Sequence, residues 1–482
     1  MGQRRTASRR RAALCFGVIG ITTLGLAGPA SGTPSGTPTP SATPSVSSLA
    51  PIVVLPPTAV AGSAAPVPTT AGLTAALTPL LADRALGPAV SATVVDPATG
   101  TVLLDATASR PTIPASTLKT LTAVAALRAL GPDSRLTTRV VRGSAPGQLV
   151  LVGGGDATLV TSPADQQVGH AGDGDLGTAS PPGATLTDLA ARTAAALAAE
   201  RGAGAPSKTT ITLVVDDSLF SGPKLGPGWQ PSYPALGVVS PVSALSVDAG
   251  RTGPAATSRS ADPAMAAATT FARLLSGLGV TVAGVVRGLA PTAATEVAAV
   301  SSPPLADVVE RMLTYSDNDI AEALAHLAGR ALLGQPTFAG GAAATRQVLG
   351  ELGVDVAGLT VVDGSGVSRG NAVPAQVLAG TLSALSTGAA PYGWPGMTGL
   401  PVAGATGTLA DRYASPATAA GAGTVRAKTG TLTGVNGLAG TVRDADGRLL
   451  VFAVLTDRVR DPASAPAALD RIASAIAGCG CR

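Results

Sequence analysis

Runs of strand length stand at both ends of the globular part of this 482-residue chain, with helical periodicities between them. That arrangement limits the fold more than any other feature of the sequence. SATVVD and TVLLDA flank a turn at Pro97-Ala-Thr-Gly100, and GTVRAK is followed by NGLAGTVRDADGRLLVFAVLTD, which turns at Asp446-Gly447. Alternating apolar residues around such turn signals predict hairpins. An amphipathic pattern near 73–84 precedes the first hairpin, and another covers 464–477. Further helical spacing occurs at 262–276, 304–315 and 319–333, and residues 115–130, bounded by Pro114 and by Gly131-Pro132, read as one helix. Strands at both ends with helices between them predict an α/β (α+β) unit, with parts at 71–135 and 256–477. The span between, 136–255, is rich in Gly and Pro and in short strands such as GQLVLVGGG and TTITLVVDD, so it reads as a β-rich insertion.

The flanks have a different chemistry. Arg4, Arg5, Arg9, Arg10 and Arg11 precede the uncharged stretch from Ala12 to Gly28 and the small residues GPASG, the order of an export signal over 1–30. Ser8-Arg9-Arg10 permits a twin-arginine route, although Ala12-Ala13 replaces the usual apolar pair. The alternative for this segment is an uncleaved anchor helix on the outer face of the cytoplasmic membrane. Residues 31–70 are dominated by Ser, Thr, Pro, Gly and Ala and read as a linker without a core. Without the five leader arginines, 28 basic residues face 29 acidic ones, so nucleic acid is not an implied partner. Cys479 and Cys481 lie in a tail at 478–482, where mutual pairing, pairing between chains and free thiols all stay open.

A nucleophilic serine needs a group to take its proton. The chain has only His170 and His326. Gly366-Val-Ser368-Arg-Gly370 has the GxSxG spacing of a nucleophile elbow, but both histidines precede it and no strongly apolar strand leads into it. Lysine is the other base, and Lys119, Lys208, Lys224 and Lys428 are the full set. Ser116-Thr-Leu-Lys119 and Ser221-Gly-Pro-Lys224 are rival SxxK strings. On a helix, residues three apart share a face, which favours the first, whereas Gly-Pro breaks any helical turn in the second. Alone, the first is also what a helix with an early Ser and a solvated Lys would show. Two more strings follow in order. Asn318, one of three asparagines, completes Ser316-Asp317-Asn318 between two helical patterns, where a helix cap is the ordinary explanation. Lys428-Thr429-Gly430-Thr431 ends an expected strand.

Together, SxxK, SxN and KTG form the signature of the penicillin-recognising serine enzymes. Within them the chain resembles the class C low-molecular-mass penicillin-binding proteins, D-alanyl-D-alanine carboxypeptidase/endopeptidases. About 200 residues separate Ser116 from Ser316, and GGGD at 153–156, VDDSLFSGP at 215–223, the Trp229 region, GVVSPVSAL at 237–245 and DGSGVSR at 363–369 add to the likeness. The resemblance covers most of 75–476. It implies a β-lactamase/transpeptidase-like domain, a helical subdomain plus an antiparallel sheet with flanking helices, interrupted by the insertion. It also implies Ser116 as the acylated nucleophile, Lys119 as its base and Ser316 as the relay to the leaving D-alanine. Asn318, Lys428, Thr429, Gly430 and Thr431 would hold the substrate, with no metal or cofactor. The implied partners are peptidoglycan stem peptides ending in D-Ala-D-Ala and β-lactams as covalent inhibitors, in the extracellular or cell-wall space. The competing readings are a β-lactamase with fast deacylation and a non-catalytic cell-wall-binding scaffold. The insertion is short for the group and contains a polar, Gly-rich stretch, 161–183.

Overall fold

The strands from the two ends of the chain meet in one five-stranded antiparallel sheet. Its order is β2 (Thr101–Ala106), β1 (Ala89–Asp96), β10 (Leu449–Asp457), β9 (Val435–Arg443), β8 (Arg426–Leu432). Residues 65–164, 183–201 and 209–482 are described by the computed structural model and belong to a single unit, Pro57–Arg482. The expected export signal and almost all of the linker lie outside the described residues, as does His170.

Side chains alternate across a strand, and β10 uses both faces. Leu450, Phe452 and Val454 enter one core with α1 (Thr70–Leu81) and α10 (Ala465–Ala477). Val451, Ala453 and Leu455 enter another with α2 (Lys119–Leu130) and α8 (Ala375–Thr387). Nine of the twelve α2 residues are buried, because the helix sits beneath α5 (Leu305–Tyr315), α6 (Asn318–Leu333) and α7 (Phe338–Glu351).

A second five-stranded sheet runs β6 (Val280–Arg287), β5 (Thr209–Asp216), β4 (Gln148–Val152), β3 (Thr137–Arg142), β7 (Glu296–Ser301). It is mixed: β4, β5 and β6 are mutually parallel, while β3 is antiparallel to β4 and β7. Parallel neighbours need crossovers, supplied by α3 (Leu186–Arg201) and α4 (Pro263–Gly277), whose Leu189, Phe271 and Leu275 pack on Leu149, Leu151, Leu213 and Val215.

Four details differ from the sequence reading. Residues 115–130 are not one helix: Ala115–Leu118 form a 3-10 turn before α2, and Ala115 has φ 47°. The KTG string is not at a strand end, because β8 continues to Leu432 before turning into β9. The periodicity at 262–276 is α4, which belongs with β6 and β7 to the second sheet; an amphipathic pattern says that a face is buried, not against which sheet. Helices α3, α7 and α8 were not among the expected elements, and α7 contains Gly340 and Gly341. Those glycines face the carbonyls of Gln335 and Ala325, where a Cβ would collide.

Cys479 and Cys481 pair with each other. The Cys481 carbonyl accepts from Thr69 N at 2.9 Å, which ties the tail to the start of α1.

Candidate active site

Ser116 lies in the 3-10 turn just before α2, and Lys119 is the first residue of that helix. The left-handed φ of Ala115 bends the chain into this turn, a conformation an alanine adopts only when its surroundings enforce it. Those surroundings are close backbone contacts. A Cβ on Gly430 of β8 would lie 2.6 Å from the Pro114 carbonyl, and one on Gly366 (φ 84°) would collide with the Ala115 carbonyl. Glycine at both positions lets the strand and the 363–369 loop press against the turn.

The Lys119 amine is fully buried and makes three hydrogen bonds, to Ser116 Oγ at 2.9 Å, Asn318 Oδ1 at 2.7 Å and the Ser365 carbonyl at 2.7 Å. Burial pushes its pKa down to about 8, against the opposing pull of Glu322 first and then Asp363, Asp317 and Asp319. Lys428 points inward from β8, equally buried, and donates to Ser316 Oγ at 2.8 Å and to the Thr429 carbonyl at 3.0 Å. Burial and then the neighbouring Lys119 charge hold its pKa well below that of an ordinary lysine.

Ser316 ends α5 in the left-handed conformation, φ 60° and ψ 37°, which turns the chain sharply into α6. Asp317 caps α6, its Oδ1 accepting from Ile320 N at 3.0 Å, so the capping role is real and coexists with the site. Asn318 Nδ2 donates to the Val238 carbonyl at 2.7 Å, which aims its Oδ1 at Lys119. Five of the expected residues thus form two short chains, Ser116–Lys119–Asn318 and Ser316–Lys428. Thr429, Gly430 and Thr431 follow on the same edge strand. The Thr429 hydroxyl is 2.9 Å from that of Thr408, and Thr431 is exposed.

Several supporting residues were not read from the sequence. Glu322, on α6, accepts from Gly364 N at 2.9 Å and Ser365 N at 2.8 Å. Asp363 accepts from Trp229 Nε1, Gly366 N, Ser368 N and Asn371 Nδ2 and so organises the DGSGVSR loop. A charge within the apolar stripe of α6 was the available signal for Glu322.

The rival strings have other roles. Lys224 donates to Asp217 at 3.0 Å from a non-helical segment. Ser368 is buried and donates to the Pro227 carbonyl. His326 lies between Phe220 and Phe338 with Nδ1 bonded to the Glu322 carbonyl, and burial lowers its pKa to about 4.

Comparison with known proteins identifies the family. The family model for D-Ala-D-Ala carboxypeptidase 3 (S13) matches residues 73–260 and 253–477. A carboxypeptidase of Mycobacterium tuberculosis is 36% identical over 436 residues, covering 88% of this chain and 89% of the relative. A D-alanyl-D-alanine carboxypeptidase of an Actinomadura species is 30% identical over 470 residues, 80% of each chain. The crystal structure of penicillin-binding protein 4 from Haemophilus influenzae shares the fold, with TM-score 0.66 and 22% identity over 84% of this chain and 97% of that one. The chain belongs to the D-Ala-D-Ala carboxypeptidase 3 (S13) family and is a carboxypeptidase hydrolase.

Proposed function

We propose that the enzyme removes the terminal D-alanine of peptidoglycan stem peptides through an acyl-enzyme on Ser116. The observation that carries this reading is a buried lysine amine, its pKa lowered to about 8, at 2.9 Å from Ser116 Oγ. No histidine among the described residues lies there; His326 is committed elsewhere. In the neutral form, Lys119 takes the Ser116 proton as Oγ bonds to the carbonyl carbon of the penultimate D-alanine. The tetrahedral oxyanion is received by the backbone N–H groups of Ser116 and Thr431. Ser316, held by Lys428, relays a proton to the departing D-alanine nitrogen as the C–N bond breaks, its hydroxyl being restored by the proton that Lys119 took from Ser116. Water then cleaves the ester, leaving its acyl group as the shortened peptide's carboxylate and returning the proton to Ser116. Lys428, Thr429 and Thr431 bind the terminal carboxylate and Asn318 the peptide amide, which favours a chain end.

β-Lactams mimic the acyl-D-alanyl-D-alanine end and acylate the same serine. A structure sharing the fold, the penicillin-binding protein 4 of Haemophilus influenzae, is described in complex with a β-lactam. The substrate puts the enzyme in the cell envelope, and the arginine-rich, then apolar N-terminus supports export. No helix among the described residues is long and apolar enough to cross a membrane, so any anchoring rests on that N-terminal segment.

The test is to incubate the full chain and its Ser116→Ala variant with a fluorescent penicillin and with diacyl-Lys-D-Ala-D-Ala. Stable labelling and D-alanine release, both lost in the variant, are expected. Rapid penicillin turnover without D-alanine release would make the protein a β-lactamase. No Ser116-dependent reaction would leave a scaffold.

A further inference from the structure

We infer that Glu322 is the positioning residue that points the free electron pair of Lys119 at Ser116, by gripping the Gly364–Ser365 backbone whose carbonyl receives the Lys119 amine. The inference rests on the proposed role of Lys119 as the base.

A neutral lysine amine has two hydrogens and one lone pair. Lys119 has three partners: Ser116 Oγ, Asn318 Oδ1 and the Ser365 carbonyl. The last two only accept, so in the neutral form they take both hydrogens and leave the lone pair directed at Ser116. The Asn318 oxygen is aimed by the Val238 carbonyl on Nδ2. The Ser365 carbonyl has its own anchor. Glu322, one helical turn after Asn318, uses one oxygen for Gly364 N and the other for Ser365 N, while Thr122 Oγ1 donates to the Gly364 carbonyl at 2.6 Å. Each N–H has its own oxygen, an arrangement that a carboxylate offers and a glutamine amide, with one oxygen, cannot reproduce. Gly364 has no room for a side chain, since a Cβ would lie 2.6 Å from that of Ala325 on α6.

The charge has a second effect. Glu322 is 1% exposed and makes no ion pair among the described residues within 4.0 Å. For folding alone, such a group is a burden. Burial and then Asp363 raise its pKa to about 8, so it gains its charge in the same pH range in which Lys119 loses its proton, and among the carboxylates it pulls hardest on that proton. The charged groups facing this pair are Lys428 from β8, Asp363 from the loop, and Asp317 and Asp319 from the start of α6. His326, one turn further along α6, is neutral above about pH 4.

The experiment follows the rate of Ser116 acylation by penicillin between pH 6 and 10, with kcat and KM for D-alanine release, in the full chain and in Glu322→Gln and Glu322→Asp. Removing the negative charge lowers the proton affinity of Lys119, so the acid limb in Glu322→Gln moves to lower pH. Its plateau falls on the order of 10- to 100-fold through lost aim, in kcat rather than KM. Glu322→Asp keeps the charge, holds the limb near the wild-type position and loses less rate. A wild-type limb or rate in Glu322→Gln overturns the inference, as does an equal loss in both variants at an unmoved limb. Where Glu322→Gln does not fold, the Asp variant decides: a lower plateau on an unmoved limb supports the role, and an unchanged rate or a moved limb overturns it. Labelling that survives Ser116→Ala would instead defeat the proposed nucleophile and leave the positioning question distinguishable from it.

Discussion

The seam that joins the first sheet to the helices and the rim of the second sheet use the same residue types in opposite ways. On the rim, Asp217 receives Lys224 and Arg287, and Arg287 also reaches Asp262 at 2.7 Å; both cations are more than two-fifths exposed. Burial raises the Asp217 pKa, but hydrogen bonds from Lys224 and Arg287 outweigh it and hold the carboxyl below its ordinary range. In the seam, Lys119 and Lys428 have no carboxylate in contact among the described residues, only hydroxyls, an amide and carbonyls. Opposite charges in contact make a group indifferent to neutral pH. Burial that outweighs carboxylates held out of contact makes the Lys119 amine a base.

The largest effect should come from Lys119→Met. Acylation of Ser116 should fall by 10³-fold or more, since removing the base takes away the proton transfer. Stability at pH 7 should not fall with it, because a shape-preserving apolar residue replaces a buried cation. The pH dependence gives the sign. Below about pH 8 Lys119 is protonated in both folded and unfolded chains, and the burial penalty is complete. Between there and the ordinary value of 10.5 only the unfolded chain holds the proton, so wild-type stability rises with pH relative to the variant. Thermal melts of both proteins at pH 7 and 10 measure this; a gap that does not change with pH would mean that Lys119 is not buried as a cation.

Lys428→Met should cost less, on the order of 100-fold in kcat/KM for carboxylate-ended peptides, with much of it in KM. It also separates the two lysines. The Lys119 charge repels the Lys428 proton, whereas burial alone lowers Lys119, so Lys428 is neutral where Lys119 titrates and its loss should leave the acid limb of penicillin acylation in place, unlike the downward shift expected for Glu322→Gln. A limb that moves as far in Lys428→Met as in Glu322→Gln would refute this order of titration.

Local patterns made half of this seam legible in the sequence. Ser116 and Lys119 share a turn, Ser316 and Asn318 share a helix junction, and the scarcity of lysine singled out Lys428. What joins them was not legible, because Lys119 meets Asn318 across 199 positions and Ser365 across 246. The Ala115 bend follows from the close approach of Gly430 and Gly366, which are neighbours only in space. The terminal hairpins were readable from alternation and turn residues. The membership of α4, β6 and β7 was not, because alternation marks a buried face without naming what buries it.

The smallest effect should come from Arg287→Ala on the rim, and it sharpens the comparison by being small. Exposed ion pairs contribute about 0.2–1 kcal/mol, and Asp217 keeps Lys224 at 3.0 Å when Arg287 is gone. A loss under about 1 kcal/mol in a denaturant titration is expected, shrinking at high salt as screening weakens the pair. Because the Asp217 pKa is depressed in the folded chain, its contribution is present above the ordinary carboxyl value and is lost as pH falls through the folded one. The wild-type advantage should therefore vanish in strong acid, whereas that of Lys119→Met should fade toward alkaline pH. The rate and acid limb of Ser116 acylation should stay where they are. A loss of several kcal/mol, or a displaced limb, would show that the rim is coupled to the seam and that the two regions do not work by separate rules.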